Sequence, residues 1–262
     1  MKRILFTLLA VLSLCSVSGT GVSAQVSRQD HNVYYKGGIT RGDPSSKRIC
    51  LVFTAADKAD GAKPIMAALK KHGIKGGFFF TGEFFERFPE EVRALLADGH
   101  YVSSHGYAHL LYAPWGGVDS TLVSREEFVA DIEKSYTKMG EFGITKENSP
   151  YWIPPYEHYN DTISKWSEEL GLRLMNYTEG TRTNGDYTTP DMKNYMSSDY
   201  IMQSVLDYEK TRQNGLNGHF MLIHFGTSPL RTDKFYNRLD ELITTLEGLG
   251  YEFVSIRDLI EN

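Results

Sequence analysis

Cysteine is almost missing from this chain. Only Cys15 and Cys50 occur in 262 residues. No disulfide framework can therefore staple the fold, and the hydrophobic core has to stabilise it unaided. Cys50 lies in the apolar run ICLVF and reads as a buried thiol. Basic tracts are missing too. No run of five or more Lys or Arg occurs, and the formal net charge is −5, which argues against a nucleic-acid partner. Long apolar runs are confined to the beginning. There ILFTLLAVLSLCSV follows a basic MKR and precedes the small-x-small pattern VSA. Residues 1–24 read as a cleaved secretion signal, too short in its apolar part for a membrane span. The expectation is an exported protein, periplasmic, secreted or at the cell surface, with no transmembrane segment after cleavage. LSLC lacks the small residue wanted before a lipidated cysteine, which disfavours an anchor at Cys15. Removing Lys2 and Arg3 with the signal takes the charge to −5 − 2 = −7.

Aromatic residues are plentiful, at 13% with 16 tyrosines. Such a surplus suits stacking on sugar rings and suits plain cores equally. After a polar lead-in over 25–47, strand-like and helix-like segments alternate to the end of the chain. RICLVFT (48–54) reads as a buried strand and AKPIMAALKKHG (62–73) as a helix stopped by Gly73. KGGFFFTG (75–82) reads as a strand, PEEVRALLADGH (89–100) as a helix opened by proline, and YVSSH (101–105) as a strand. A capping box, Ser124 with Glu127, opens a long helix over 124–143. A Pro-rich strand (PYWIPPYE), a helix (160–171), a strand (172–178) and a helix (197–213) follow. The apolar strand GHFMLIHFG (218–226), a helix (235–250) and a last strand (251–256) complete the chain. About seven strand–helix alternations, with no internal repeat or linker, imply one α/β domain over 48–262. It is built of parallel β/α units closed, or nearly closed, into a barrel.

In such folds the chemistry gathers at the C-terminal strand ends, and the polar residues fall there. The first strand is followed by Asp57 and Asp60, and the third by SHGYAH, with His105 and His109. The Pro-rich strand ends in Tyr156, Glu157 and His158. Asn176 and Tyr177 follow the next strand, and FMLIH ends in His224. Two imidazoles four residues apart meet on one side of a helical turn and can share a metal, with Asp57 or Asp60 as a third ligand. Gly106 leaves room for the backbone to turn between them. The aromatic stretches LLYAPW (110–115) and YWIPPYEHY (151–159) are stacking surfaces for sugar or core packing. Trp115, Trp152, His158 and Tyr177 are the substrate-binding candidates.

On these residues the chain resembles the polysaccharide deacetylases of carbohydrate esterase family 4. The landmarks run in order: the acidic loop LVFTAADKADG, the His-x-x-x-His of SHGYAH, the Pro-Pro-aromatic turn of WIPPYE, the segment MNYTEGTRTNGDYT and the strand ending in LIH. The resemblance implies a distorted (β/α)₇ barrel. It implies a metal-dependent hydrolase that removes acetyl groups from amino sugars of a polysaccharide or oligosaccharide, or O-acetyl groups from xylan. The metal would be zinc, with cobalt or nickel as substitutes. By the same resemblance His105 and His109 hold the metal, His224 acts as general acid, and the Tyr156 backbone N–H contacts the oxyanion. Two departures stand out. The usual Thr-Phe-Asp-Asp-Gly loop, which supplies a base and a metal ligand, is replaced by Thr54 and Ala55. Asp57 is then the candidate metal ligand, with Asp60 as substitute. The arginine ahead of the prolines is Ile153, and Glu157 is the candidate for a relocated general base. The alternative in another class is a non-catalytic carbohydrate-binding descendant of the same fold.

Overall fold

The residue order dictates the layering. In the strand Arg48–Ala55, every position from Ile49 onward is buried, as a strand covered on both faces requires. The computed structural model describes residues 30–262 apart from Val118. The signal segment, Cys15 and the first part of the lead-in lie outside the described residues. Residues 31–262 form one unit.

Its elements in chain order are β1 (Val33–Tyr35), β2 (Gly38–Arg41), β3 (Arg48–Ala55), α1 (Ala62–His72), β4 (Gly77–Phe80), α2 (Gly82–Arg87), α3 (Pro89–Ala97), β5 (Tyr101–Ser104) and α4 (Arg125–Gly140). There follow β6 (Tyr151–Trp152), α5 (Asp161–Glu169), β7 (Arg173–Leu174), α6 (Ser198–Thr211), β8 (His219–His224), α7 (Leu239–Gly248), β9 (Glu252–Phe253) and α8 (Ile256–Glu261). Short 3₁₀ turns lie at Pro155–Glu157, Thr183–Tyr187 and Phe235–Arg238. The helix signals read in sequence are realised. Gly73 closes α1 in the left-handed conformation, Pro89 opens α3, and Ser124 and Glu127 form a reciprocal capping box on α4.

The main sheet has the order β5-β4-β3-β8, all parallel, with β9 paired to the start of β3. A second parallel pair, β6-β7, completes the barrel wall. Ile153 N donates to Ser104 O and ties β6 to β5, while Thr178 N donates to Phe220 O beyond β7. This is the distorted β/α barrel expected from the sequence, closed on the β6–β7 side by single hydrogen bonds. Alternation along the strands splits the core in two. Ile49, Leu51, Phe53, Phe78, Phe80, Met221 and Ile223 pack with the helices. Cys50, Val52, Phe79, Phe220 and Leu222 meet Ile39, Tyr151, Ile153 and Met175 across the interior. Cys50 is fully buried, and burial pushes its thiol pKa far up.

Two expectations need correction. Residues 25–47 are not a mere lead-in, because β1 and β2 form an antiparallel hairpin. Ile39 of that hairpin is buried in the interior cluster and bridges to Met175. Arg41 straps it to the turn before β8 through Asn217 O (2.6 Å) and Gly215 O (2.9 Å). The late strands are also far shorter than their apolar runs. β7 and β9 are two residues each, because closure there is made by loop segments.

Candidate active site

Strand register brings the site together. Thr54 stands opposite His224 between β3 and β8. Ala55 pairs with Phe80, and Phe80 with Ser104, immediately before His105. The C-terminal ends of β3, β4, β5 and β8 therefore form one rim, with the turn after β6 beside it.

His105 and His109 do not lie on a helical turn. Gly106 (φ 72°) and His109 (φ 53°) are both left-handed, so the chain doubles back between them. A Cβ on Gly106 would meet Tyr112 Oη at 2.8 Å and Pro155 Cγ at 2.9 Å. Glycine is therefore required for space as well as conformation. The loop is clamped from α4. The buried Asp131 carboxylate accepts from Tyr107 N (2.8 Å), Ala108 N (2.9 Å) and the Tyr112 hydroxyl (2.6 Å). The two imidazole rings end 5.2 Å apart, centroid to centroid.

His105 Nδ1 donates to Ile153 O at 2.9 Å. Burial, and then the neighbouring His109, hold its pKa well below the ordinary histidine value, so the ring is neutral and Nε2 carries a lone pair. Glu157 Oε1 faces that nitrogen at 3.6 Å, beyond hydrogen-bond length, on a side chain 14% exposed. Glu157 Oε1 and the nearby Thr54 hydroxyl are buried without a hydrogen-bond partner among the described residues. Burial pushes the Glu157 pKa up, against the pull of His224. A lone pair facing an unsatisfied carboxylate oxygen is a donor set suited to a cation. Among the described residues no three His, Cys, Asp or Glu groups are drawn together tightly enough to hold a metal as they stand. The chemistry of the donors fits the metal that the resemblance implies.

His224 stands across the site. Its Nδ1 donates to Asp186 Oδ1 at 2.6 Å, and its backbone N–H to Asp186 Oδ2 at 3.0 Å. Burial disfavours the imidazolium, but the Asp186 carboxylate, with help from Glu157, raises the pKa above its ordinary value. The sequence reading missed Asp186, which sits in the 3₁₀ turn Thr183–Tyr187. It also missed Asp131.

The remaining candidates divide. Asp57 is half-exposed (41%) and paired with Lys58 at 2.6 Å; burial and then His224 lower the His109 pKa, against the opposing pull of Asp57. Asp60 accepts from Thr227 N, Lys234 Nζ and the Tyr236 hydroxyl. The Tyr156 ring packs on His109 at 4.4 Å. Trp115 is 60% exposed and lies against His158 at 4.2 Å. His158 Nε2 donates to Pro114 O. Trp152 is a correction. It is fully buried against Tyr112 and Phe128 and has no face to offer a sugar. A groove of about 660 Å³ is lined by Tyr35, Arg41, Glu157, His158 and Tyr177. A smaller one of about 230 Å³ is lined by Thr81, Glu86, Tyr107 and His109.

A β/α barrel with paired histidines, a carboxylate and an Asp-backed histidine at its C-terminal rim defines a carbohydrate-esterase type of hydrolase. The polysaccharide deacetylase family model matches residues 41–175, just over half of the chain, and the chain belongs to that family. A peptidoglycan-N-acetylglucosamine deacetylase of Bacillus cereus is 24% identical over 221 residues, covering 84% of this chain and 70% of its own. Peptidoglycan-N-acetylmuramic acid deacetylase PdaA of Bacillus subtilis is 23% identical over 220 residues, covering 84% and 73%. A solved CE4 family pseudoenzyme from Bacillus anthracis has a TM-score of 0.68 at 20% identity, over 87% of this chain and 70% of that one. This last likeness shows the shared fold.

Proposed function

We propose that the protein is an exported, metal-dependent deacetylase that hydrolyses the N-acetyl groups of amino sugars in an acetylated polysaccharide. Peptidoglycan is the first substrate class to test, since relatives are named for it. The observation that carries the reading is the His224–Asp186 pair facing the imidazoles of His105 and His109 across one rim. A sugar-binding module has no use for a histidine whose charged form is favoured by a buried carboxylate, whereas amide hydrolysis does.

His105 and His109 with one carboxylate would hold the cation, zinc in the first instance. When bound, the metal supplies Lewis acidity towards the acetyl carbonyl and towards a water. The residues supply the rest. One carboxylate, Glu157 or Asp57, accepts the water's proton as its oxygen adds to the carbonyl carbon. The Tyr156 backbone N–H contacts the oxygen that gains charge. His224 gives its Nε2 proton to the sugar nitrogen as the C–N bond breaks, and Asp186 stabilises the imidazolium until then. Acetate and a free amino sugar are the products. The groove lined by Tyr35, Tyr177 and Glu157 gives a glycan chain aromatic faces beside the reacting centre.

Acetate release from acetylated peptidoglycan and chito-oligosaccharides tests the reading. Release is expected with zinc, loss after chelation, and recovery on adding the metal back. No release from any acetylated glycan in the metal-loaded protein would mark a non-catalytic descendant. Release from xylan acetate alone would mark an O-acetyl esterase.

A further inference from the structure

We propose that Glu157 is the carboxylate that completes the metal centre with His105 and His109, where the family's usual pattern takes an aspartate from the first acidic loop. The inference rests on the hydrolase reading only in needing a cation at this rim.

The first loop has no acid free for the task. Thr54 and Ala55 occupy the usual positions. Asp60 is consumed by three donors that anchor the turn after β8. Asp57 points its carboxylate at Lys58 and is half in solvent. Glu157 differs. Its side chain is only 14% exposed, its buried Oε1 has no hydrogen-bond partner among the described residues, and that oxygen faces the bare nitrogen of His105. The carbonyl of Ile153 can only accept, so Nδ1 of His105 carries the proton and Nε2 is left as the ligating atom.

The separation is informative. Two ligand atoms each about 2.0–2.2 Å from one zinc, at a tetrahedral angle, lie roughly 3.3–3.6 Å apart. The observed separation is 3.6 Å, too long for a hydrogen bond and right for two ligands of one ion. The backbone is strained to put the carboxylate there. Tyr156 (φ 60°) and Glu157 (φ 52°) are consecutive left-handed residues without glycine. Asn176 Nδ2 fixes the turn by donating to Glu157 O at 2.7 Å. Strain of this kind persists where the surroundings over-determine it, and it clusters at functional sites. With Glu157 on the metal, Asp57 is left to accept the water's proton.

The test is metal binding, read apart from turnover. Metal-free wild type, Glu157→Gln and Asp57→Asn are titrated with Zn²⁺ by calorimetry, and with Co²⁺ by visible absorption. Glu157→Gln is expected to weaken affinity at least about 10-fold, the scale on which lesser changes around metal sites act, and to alter the Co²⁺ spectrum. Asp57→Asn is expected to bind close to wild type. The reverse pattern, or wild-type binding by Glu157→Gln, overturns the proposal. Equal melting curves of the metal-free proteins check folding. A crystal structure of zinc-loaded wild type asks the same question without a variant: a Glu157 oxygen within about 2.2 Å of zinc supports the proposal, and Asp57 in that place overturns it. Zinc held through Glu157 without acetate release from any glycan would remove the hydrolase reading alone. Acetate release with zinc binding untouched by Glu157→Gln would remove this proposal alone.

Discussion

At His224, burial and a buried carboxylate pull in opposite directions, and the carboxylate wins. The raised pKa extends the imidazolium to higher pH than in an ordinary histidine, so a general-acid rate falls as pH rises through that value. Asp186→Asn removes the charge and should move the alkaline limb of the kcat/KM profile to lower pH, with zinc affinity retained. An unmoved limb would deny Asp186 its positioning role. His224→Ala should cost roughly 10²-fold or more in kcat with metal still bound, and unchanged turnover would remove the general acid. The three histidines of this site were legible from SHGYAH and LIH. Asp186 was not, because an acid in TNGDY looks like any loop acid until the fold carries it to β8, 38 residues onward in the chain. Trp152 was misread for the converse reason. An aromatic beside a Pro-rich turn has the same sequence signature whether it faces sugar or, as here, Phe128 of α4.

The loop from His105 to Tyr112 carries two of the three histidines at the rim, and it is held from outside itself. A period of four suggested a helical turn, but Gly106 and His109 in left-handed conformations make that turn impossible. Asp131 of α4 replaces the missing helical hydrogen bonds by accepting three of the loop's donors. Asp131→Ala would leave two N–H groups and a buried tyrosine hydroxyl unsatisfied. A loss of about 3 kcal/mol in urea denaturation is expected, together with weaker zinc binding as the imidazoles lose register. Wild-type stability would mean that water replaces the carboxylate without cost. Nothing in SREEFVADIEK marks Asp131 as different from its neighbouring acids. Only the packing of α4 beneath the loop separates them.

The whole molecule depends on the hairpin that reads as a polar lead-in. Ile39 belongs to the interior cluster, and Arg41 is bonded to the turn before β8. Ile39→Ala should therefore cost about 2–5 kcal/mol, as for a core position, seen as a lower urea midpoint with an unchanged slope. A shift of a few tenths would return the hairpin to the status of an appendage. The sequence by itself determined the strand–helix alternation, the helix caps, the buried β3 run and the histidines that meet at the rim, because each is written in local pattern and spacing. Tertiary structure decided which acid meets which histidine, since every carboxylate near the rim has the same local chemistry. Strand register and two strained backbone residues give Glu157 a buried place opposite His105, while Asp57 stays half in solvent and Asp60 is consumed in a turn.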